Sequence, residues 1–385
     1  MFKNAGNRTY QISSQLNKKN SAIDVQEPIL NIRIYEDFYF LKNQEVKLES
    51  EISISEAEIT NRLEKAKDFY NKKDYKSAYN LFLSINKNKN AQNYLGDMYY
   101  FSYGVEKNYT TAVEWYRKAA DQGYATGQVN LGLMYQYGYG VEKNYTTAVE
   151  WYRKAADQGY AKGQGNLGLM YQYGYGVDKN YTTAVEWFRK AADQGYATGQ
   201  VNLGVMYQNG YDVEKNYTTA VKWFRKAADQ GYAKGQNNLG VMYQNGYGVD
   251  KNYTTAVEWY RKAADQGDAT GQGNLGLMYQ YGYGVEKNYT TAVEWFRKAA
   301  DQGDTTGQNN LGVMYQNGYG VEKNYTTAVK WFRKAADQGD ATGQGNLGFM
   351  YENGYGVNKD IKIAKEWYRK AAEQRDTNAQ AALKD

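Results

Sequence analysis

The chain has 385 residues, with 47 basic against 42 acidic side chains and neither cysteine nor histidine. It can therefore form no disulfide and no Cys/His zinc site, and no mechanism that relies on a histidine base or a cysteine nucleophile is open to it. The net charge of +5 is spread without a basic stripe, so nucleic acid is not an expected partner.

The opening "MFKNAGNRTYQISSQLNKKN" lacks an apolar run of signal-peptide length, and no segment approaches the apolar length of a membrane span. The expected location is cytoplasmic, with no membrane insertion. In residues 1–55 Val46, Leu48, Ile52 and Ile54 alternate as in a strand, and this part reads as a non-repeat segment, partly disordered or in short strands.

Residues 56–90 read as a divergent helical hairpin that caps one end of a repeat array. Ile59, Leu63 and Ala66 form one stripe behind a Ser55/Glu58 capping box, and Asp74 caps a second helix that turns Ala78, Leu81, Phe82 and Ile85 inward. From residue 91 to 385 a period of 36 takes over. The glycine of "LG" stands at Gly96, Gly132 and Gly168 and continues to Gly348, and all eight tryptophans, Trp115 to Trp367, keep the same beat. Within a unit, Gly127, Leu131, Met134 and Tyr135 fall on one helical stripe. Gly138 and Gly140 break that helix, and Ala148, Trp151, Tyr152 and Ala155 stripe a second one that ends at Gly159. One such hairpin cannot bury its faces alone, so neighbours must stack. The closing "NAQAALKD" reads as the stub of a further first helix. The fold class is all-α: a right-handed α-solenoid of tandem hairpins, about eight repeats behind the divergent first hairpin.

Asn144-Tyr145-Thr146 is a formal glycosylation sequon that recurs at Asn108, Asn180, Asn216, Asn252, Asn288 and Asn324. The asparagine precedes the second helix at its N-cap, and the eighth copy carries Asp360 there, which keeps a cap and loses the sequon. Capping is the expected role. The "GQGNLG" at Gly163, Gly271 and Gly343 matches a dinucleotide fingerprint only in letters, since it lies inside a helix with no strand before it. Its glycines are expected to serve close packing. The alternation of Tyr116, Tyr152, Phe188 and Phe224 reads as core, and Glu114, Glu142 and Asp157 read as solvated faces rather than an acid–base pair.

Read from Ala125 to Gly159, the pattern A-x-G-x-x-x-L-G-x-x-Y-x-x-G-x-G-V-x-x-N-x-x-x-A-x-x-W-Y/F-x-K-A-A-x-x-G closely resembles the Sel-1-like repeat, a relative of the tetratricopeptide repeat, in eight copies. The resemblance implies a non-catalytic adaptor that holds a protein or peptide on its concave face, without cofactor or metal. It also implies alternatives: a β-lactamase-like or other hydrolase, after the label given to a cysteine-rich branch whose paired cysteines are absent here, or the regulatory arm of a larger assembly. First helices line the concave side in related superhelices. The implied partner-binding residues are therefore Asn130, Gln136 and Tyr137, with Asn166, Gln172, Tyr173, Asn202, Gln208, Asn209, Asn238, Gln244, Asn274, Gln280 and Tyr281 in later copies. On that helix, positions 129, 133 and 136 point away from the main stripe, and the first two vary between copies, which makes them candidates for copy-specific contacts or for packing between first helices.

Overall fold

The computed structural model describes residues 55–383. The strand-like pattern at 46–54, and the rest of the segment before residue 55, lie outside them. Nineteen helices run through the described residues. A first hairpin is formed by α1 (Glu56–Asn71) and α2 (Tyr75–Ser84). Eight repeats come next: α3 (Lys89–Phe101) with α4 (Tyr109–Asp121), α5 (Ala125–Tyr137) with α6 (Tyr145–Asp157), α7 (Ala161–Tyr173) with α8 (Tyr181–Asp193), and α9 (Ala197–Asn209) with α10 (Tyr217–Asp229). The second four are α11 (Ala233–Asn245) with α12 (Tyr253–Asp265), α13 (Ala269–Tyr281) with α14 (Tyr289–Asp301), α15 (Thr305–Asn317) with α16 (Tyr325–Asp337), and α17 (Ala341–Asn353) with α18 (Ile361–Glu373). The short α19 (Thr377–Ala382) closes the array.

The glycine of each "LG" is where the two helices of a hairpin meet. A Cβ on Gly132 would lie 2.5 Å from the Tyr152 ring, so only a bare α-carbon lets that ring settle on the helix. The ring is fully buried, as are Leu131, Ala148 and Ala155. Removing a residue such as Leu131 down to alanine costs ~2–5 kcal/mol in a core of this kind. The tryptophans join repeats: Trp151 of α6 packs into the cluster of Ala112, Val113, Tyr116, Leu131 and Met134. Lys154, in the last turn of α6, lies over its ring, 3.8 Å from the centroid, so a cation placed toward the negative end of the helix dipole is also a lid on the indole.

Second helices begin as the cap reading requires. The Thr147 N–H donates to the Asn144 side-chain oxygen at 2.9 Å, and the Ile363 N–H donates to Asp360 at 2.9 Å. In the first hairpin Ser55 accepts from the Glu58 N–H, but the Glu58 carboxylate turns to Arg62, so only half of the capping box forms. A second set of contacts locks repeat to repeat. The buried Gln128 donates to the Ala120 carbonyl at 3.3 Å and accepts from Gln158 at 2.7 Å, and the pair recurs from Gln92/Gln122 to Gln344/Gln374. First helices also approach those of the next repeat more closely than second helices approach one another. The stack therefore bends toward the first helices, which form its inner face.

Candidate functional site

The inner face is built from the outward positions of the first helices, and it places the expected binding residues in three different settings. Asn130 and its equivalents are half-buried at the seams between repeats. Asn130 donates to Asn93 at 3.0 Å and to Asp97 at 3.5 Å, and Asn274 donates to Asn237 at 2.8 Å. Each of these partners lies 37 residues earlier or close to it. For Asn166 and Asn202 the residues 37 earlier are Val129 and Gly165, which offer no acceptor, and both Nδ2 atoms are covered without a partner.

The glutamine column divides according to the ring behind it. Gln136 accepts from the Tyr152 hydroxyl at 2.6 Å and Gln244 from that of Tyr260 at 2.5 Å. Gln172, Gln208 and Gln280 stand sixteen residues before Phe188, Phe224 and Phe296, which have no hydroxyl to give, and the Gln280 Oε1 is covered and unpartnered. The ring itself is core throughout. Its hydroxyl, where present, is used inside the hairpin, and burial pushes the Tyr152 phenol up.

Tyr137, Tyr173 and Tyr281 are each more than half exposed and belong to the loop edge. Tyr173 stacks on Tyr175 at 5.5 Å, and Tyr175 stacks on Tyr145 of the preceding repeat at 4.8 Å. Lys143 lies 4.7 Å from the centroid of the Tyr145 ring. Asn209 is likewise exposed.

Of the two readings of position 129, packing between first helices is the one that holds. Position 129 does not face outward as a free contact: Val129 is fully buried, and Val201, Asn237 and Asn309 are 6–7% exposed. These side chains fill the seam against the following repeat, because a first helix in a stack packs on two sides. At Gly165 a Cβ would meet the Tyr196 ring at 3.0 Å, so the ring of the next unit occupies the space. The glycine-rich "GQGNLG" is explained the same way: a Cβ on Gly163 would lie 2.8 Å from that of Ala155.

Two features of the face escaped the reading of the sequence. Asp97, half-buried on α3, accepts from the Tyr116 hydroxyl at 2.7 Å. Burial pushes its carboxyl up to about 6, against the pull of that hydrogen bond and of Lys162. The residue before each first helix also changes along the array: Tyr124, Tyr160, Tyr196 and Tyr232 give way to Asp268, Asp304, Asp340 and Asp376. The changeover is visible in the letters, but its meaning needs the seam geometry. Glu114, Glu142 and Asp157 sit on exposed surfaces and converge on nothing.

A family model described as Sel1 repeat matches residues 89–124, 125–160, 161–196, 197–232, 233–268, 269–304, 305–340 and 341–376. The solved structure of c5321, a protective antigen of uropathogenic Escherichia coli strains displaying an SLR fold, is 39% identical over 83% of this chain, with a TM-score of 0.57. This chain spans 66% of the length of that protein. A Sel1 repeat protein from Oxalobacter formigenes is 36% identical over 62% of this chain and 96% of its own, with a TM-score of 0.58. No curated protein matches the chain.

Proposed function

Starting from the fact that this chain belongs to the Sel1 repeat family, whose members generally mediate protein interactions, we propose that it is a non-catalytic scaffold that holds a protein or peptide along its inner face. The observation that carries the reading is unspent hydrogen-bonding capacity on a continuous surface. Gln172 and Gln208 are partly exposed and lack the internal donor that Gln136 has. A partner's polar groups would meet one such amide per repeat, and several weak contacts in series add up to useful affinity.

The test begins with a partner captured from native extract, purified, and titrated against the scaffold. Changing Gln136, Gln172 and Gln208 together to glutamate weakens that complex by about tenfold or more on this reading. Glutamate still accepts from Tyr152, so the hairpin is left intact. Changing Glu114, Glu150 and Glu186 to glutamine on the second helices leaves affinity within about twofold. The reading fails if the second triple abolishes binding and the first does not. It also fails if the purified protein turns over a chromogenic β-lactam after stringent repurification, which would restore the hydrolase alternative.

A further inference from the structure

The inner rim changes character halfway along the array. From α5 to α11 the residue before each first helix is a tyrosine, and the ring lies in the seam: Tyr196 fills the space over Gly165, and the Tyr160 and Tyr232 hydroxyls lie 3.3–3.4 Å from Thr126 and Thr198. In the second half an aspartate replaces the ring. Over Gly273 the nearest atom to an added Cβ is an Asp304 carboxylate oxygen at 3.7 Å, and over Gly345 it is one of Asp376 at 3.8 Å. A small residue faced by a small residue leaves a gap, and at the last seam the gap widens into a hollow of about 370 Å³. Gly345, Asn346, Phe349, Glu352 and Asp376 all contribute to its wall. Glu352 stands where the six copies before it have glutamine, and Phe349, 40% exposed, where those six have leucine or valine.

These carboxylates are not neutralised from within. The salt bridges among the described residues lie in α1 and at its cap, formed by Arg62, Lys67 and Lys72. One oxygen of each aspartate caps its own helix, as Asp304 does by accepting from the Gly307 N–H at 2.6 Å. Burial pushes the Asp304 carboxyl up, with Asp268 and Asp340 adding to the push and the cap bond opposing it. Between the two gaps Asn309, 6% exposed, donates to Asp340, and its own side-chain oxygen is covered and has no donor. The second carboxylate oxygen of each aspartate accepts nothing within the chain, and those oxygens, rather than the covered one of Asn309, are what the row presents. Among the described residues no three acidic side chains gather closely enough to hold a metal ion, so a spaced set of organic cations is the better fit.

We propose that the C-terminal half of the inner face, marked by Asp304, Asp340, Asp376, Asn309 and Glu352, takes a polypeptide segment carrying basic side chains, one cation to a seam. The proposal rests on the scaffold reading and adds to it the chemistry and direction of the partner. A lysine or arginine places its donors against the free carboxylate oxygens, and its aliphatic stem lies against surfaces such as Phe349.

The test uses the full chain and a fluorescein-labelled peptide of alternating arginine and alanine, followed by anisotropy. Asparagine caps a helix as well as aspartate does. Asp304→Asn, Asp340→Asn and Asp376→Asn together therefore remove charge while keeping the fold, which circular dichroism checks. Affinity is expected to fall about tenfold or more. The matched triple Asp157→Asn, Asp193→Asn and Asp229→Asn, on exposed second-helix ends, changes it less than about twofold. Equal losses from the two triples, no binding of the arginine peptide, or equal binding of a glutamate–alanine peptide each overturn the proposal. If the captured partner still responds to the glutamine triple while the aspartate triple does nothing to either ligand, this inference falls and the scaffold reading stands.

Discussion

Asp212 is the one residue of its kind in the array, and replacing it by glycine should strengthen the joint it occupies. Seven of the eight copies carry glycine at this loop position, with φ between 67° and 71°. The loop there presses on the start of the preceding repeat's second helix: a Cβ on Gly140 would run into the Tyr109 carbonyl. Asp212 carries a Cβ, has φ of 54°, and so must be accommodated by a shift against Tyr181 and Thr182. The left-handed backbone costs ~1–2 kcal/mol for a residue with a side chain, though less for aspartate than for most, and the squeezed contact raises the total toward ~2–3 kcal/mol. Against this stand the hydrogen bond that Thr182 donates to Asp212, worth ~1 kcal/mol, and the ~0.5–1 kcal/mol of unfolded-state entropy that glycine adds. Asp212→Gly should therefore stabilise by ~1 kcal/mol net, and Gly248→Asp should destabilise by a comparable or larger amount. Equilibrium urea unfolding gives the sum, and hydrogen exchange should place the change in α8 and the 210–216 loop, because coupling in a repeat array is to nearest neighbours. A Gly248→Asp protein as stable as the parent would refute the steric account outright.

Two further outcomes concern the caps and the buried carboxylate. Asn180→Asp should leave stability nearly unchanged, while Asn180→Ala should cost ~0.5–2 kcal/mol, seen as lost exchange protection across residues 163–230; equal protection in both would sink the capping role. Asp97 titrates at about 6 in the fold against an ordinary 3.8, so its ionised form is disfavoured and stability is lost as pH rises from the lower value through the higher. Asp97→Asn should remove that loss, gaining up to ~3 kcal/mol at about pH 7 and little at about pH 4, and a gain independent of pH in urea titrations would contradict it.

The architecture was legible because its constraints repeat. Gly132 recurs where a ring must lie on bare backbone, Trp151 where one hairpin meets the last, and Asn144 where a helix starts, so eight copies reinforce one pattern. Of the two roles open to position 129, copy-specific contact fails for a geometric reason. Measured from Leu131, that position lies off the stripe that packs within the hairpin, but stacking adds a second buried stripe which a single unit does not announce. Gln128 and Gln158 were missed because polar side chains in a joint look like surface until their partners are known. Their constancy gave no warning either, since near-identical copies also keep exposed Lys143 and Asp157 in step. Of the expected binding residues, the asparagines and glutamines share the inner face with structural duties, and Tyr137 belongs to the stacked loop edge.

The candidate cation row illustrates what duplication hides and what it discloses. A column that never changes in such an array says little, because copying and constraint leave the same trace. A column that changes once and stays changed says more. From α5 onward the residue before the first helix is tyrosine four times and then aspartate four times, and both cap or fill the same seam. If the change served only the cap, an aspartate would suit every copy, for it accepts from the first-turn amide whereas Tyr124, Tyr160, Tyr196 and Tyr232 make no side-chain cap bond. If it served only packing, replacing a ring by a carboxylate would be a loss, since the ring that covers Gly165 has no counterpart over Gly273 or Gly345. Unoccupied space and unpaired charge both disfavour the folded chain by itself. Their coincidence at the Gly273/Asp304 and Gly345/Asp376 seams, on either side of the filled Asn309/Asp340 seam, is what a surface shaped for a charged partner requires, and it sets this half apart from the closed one before it.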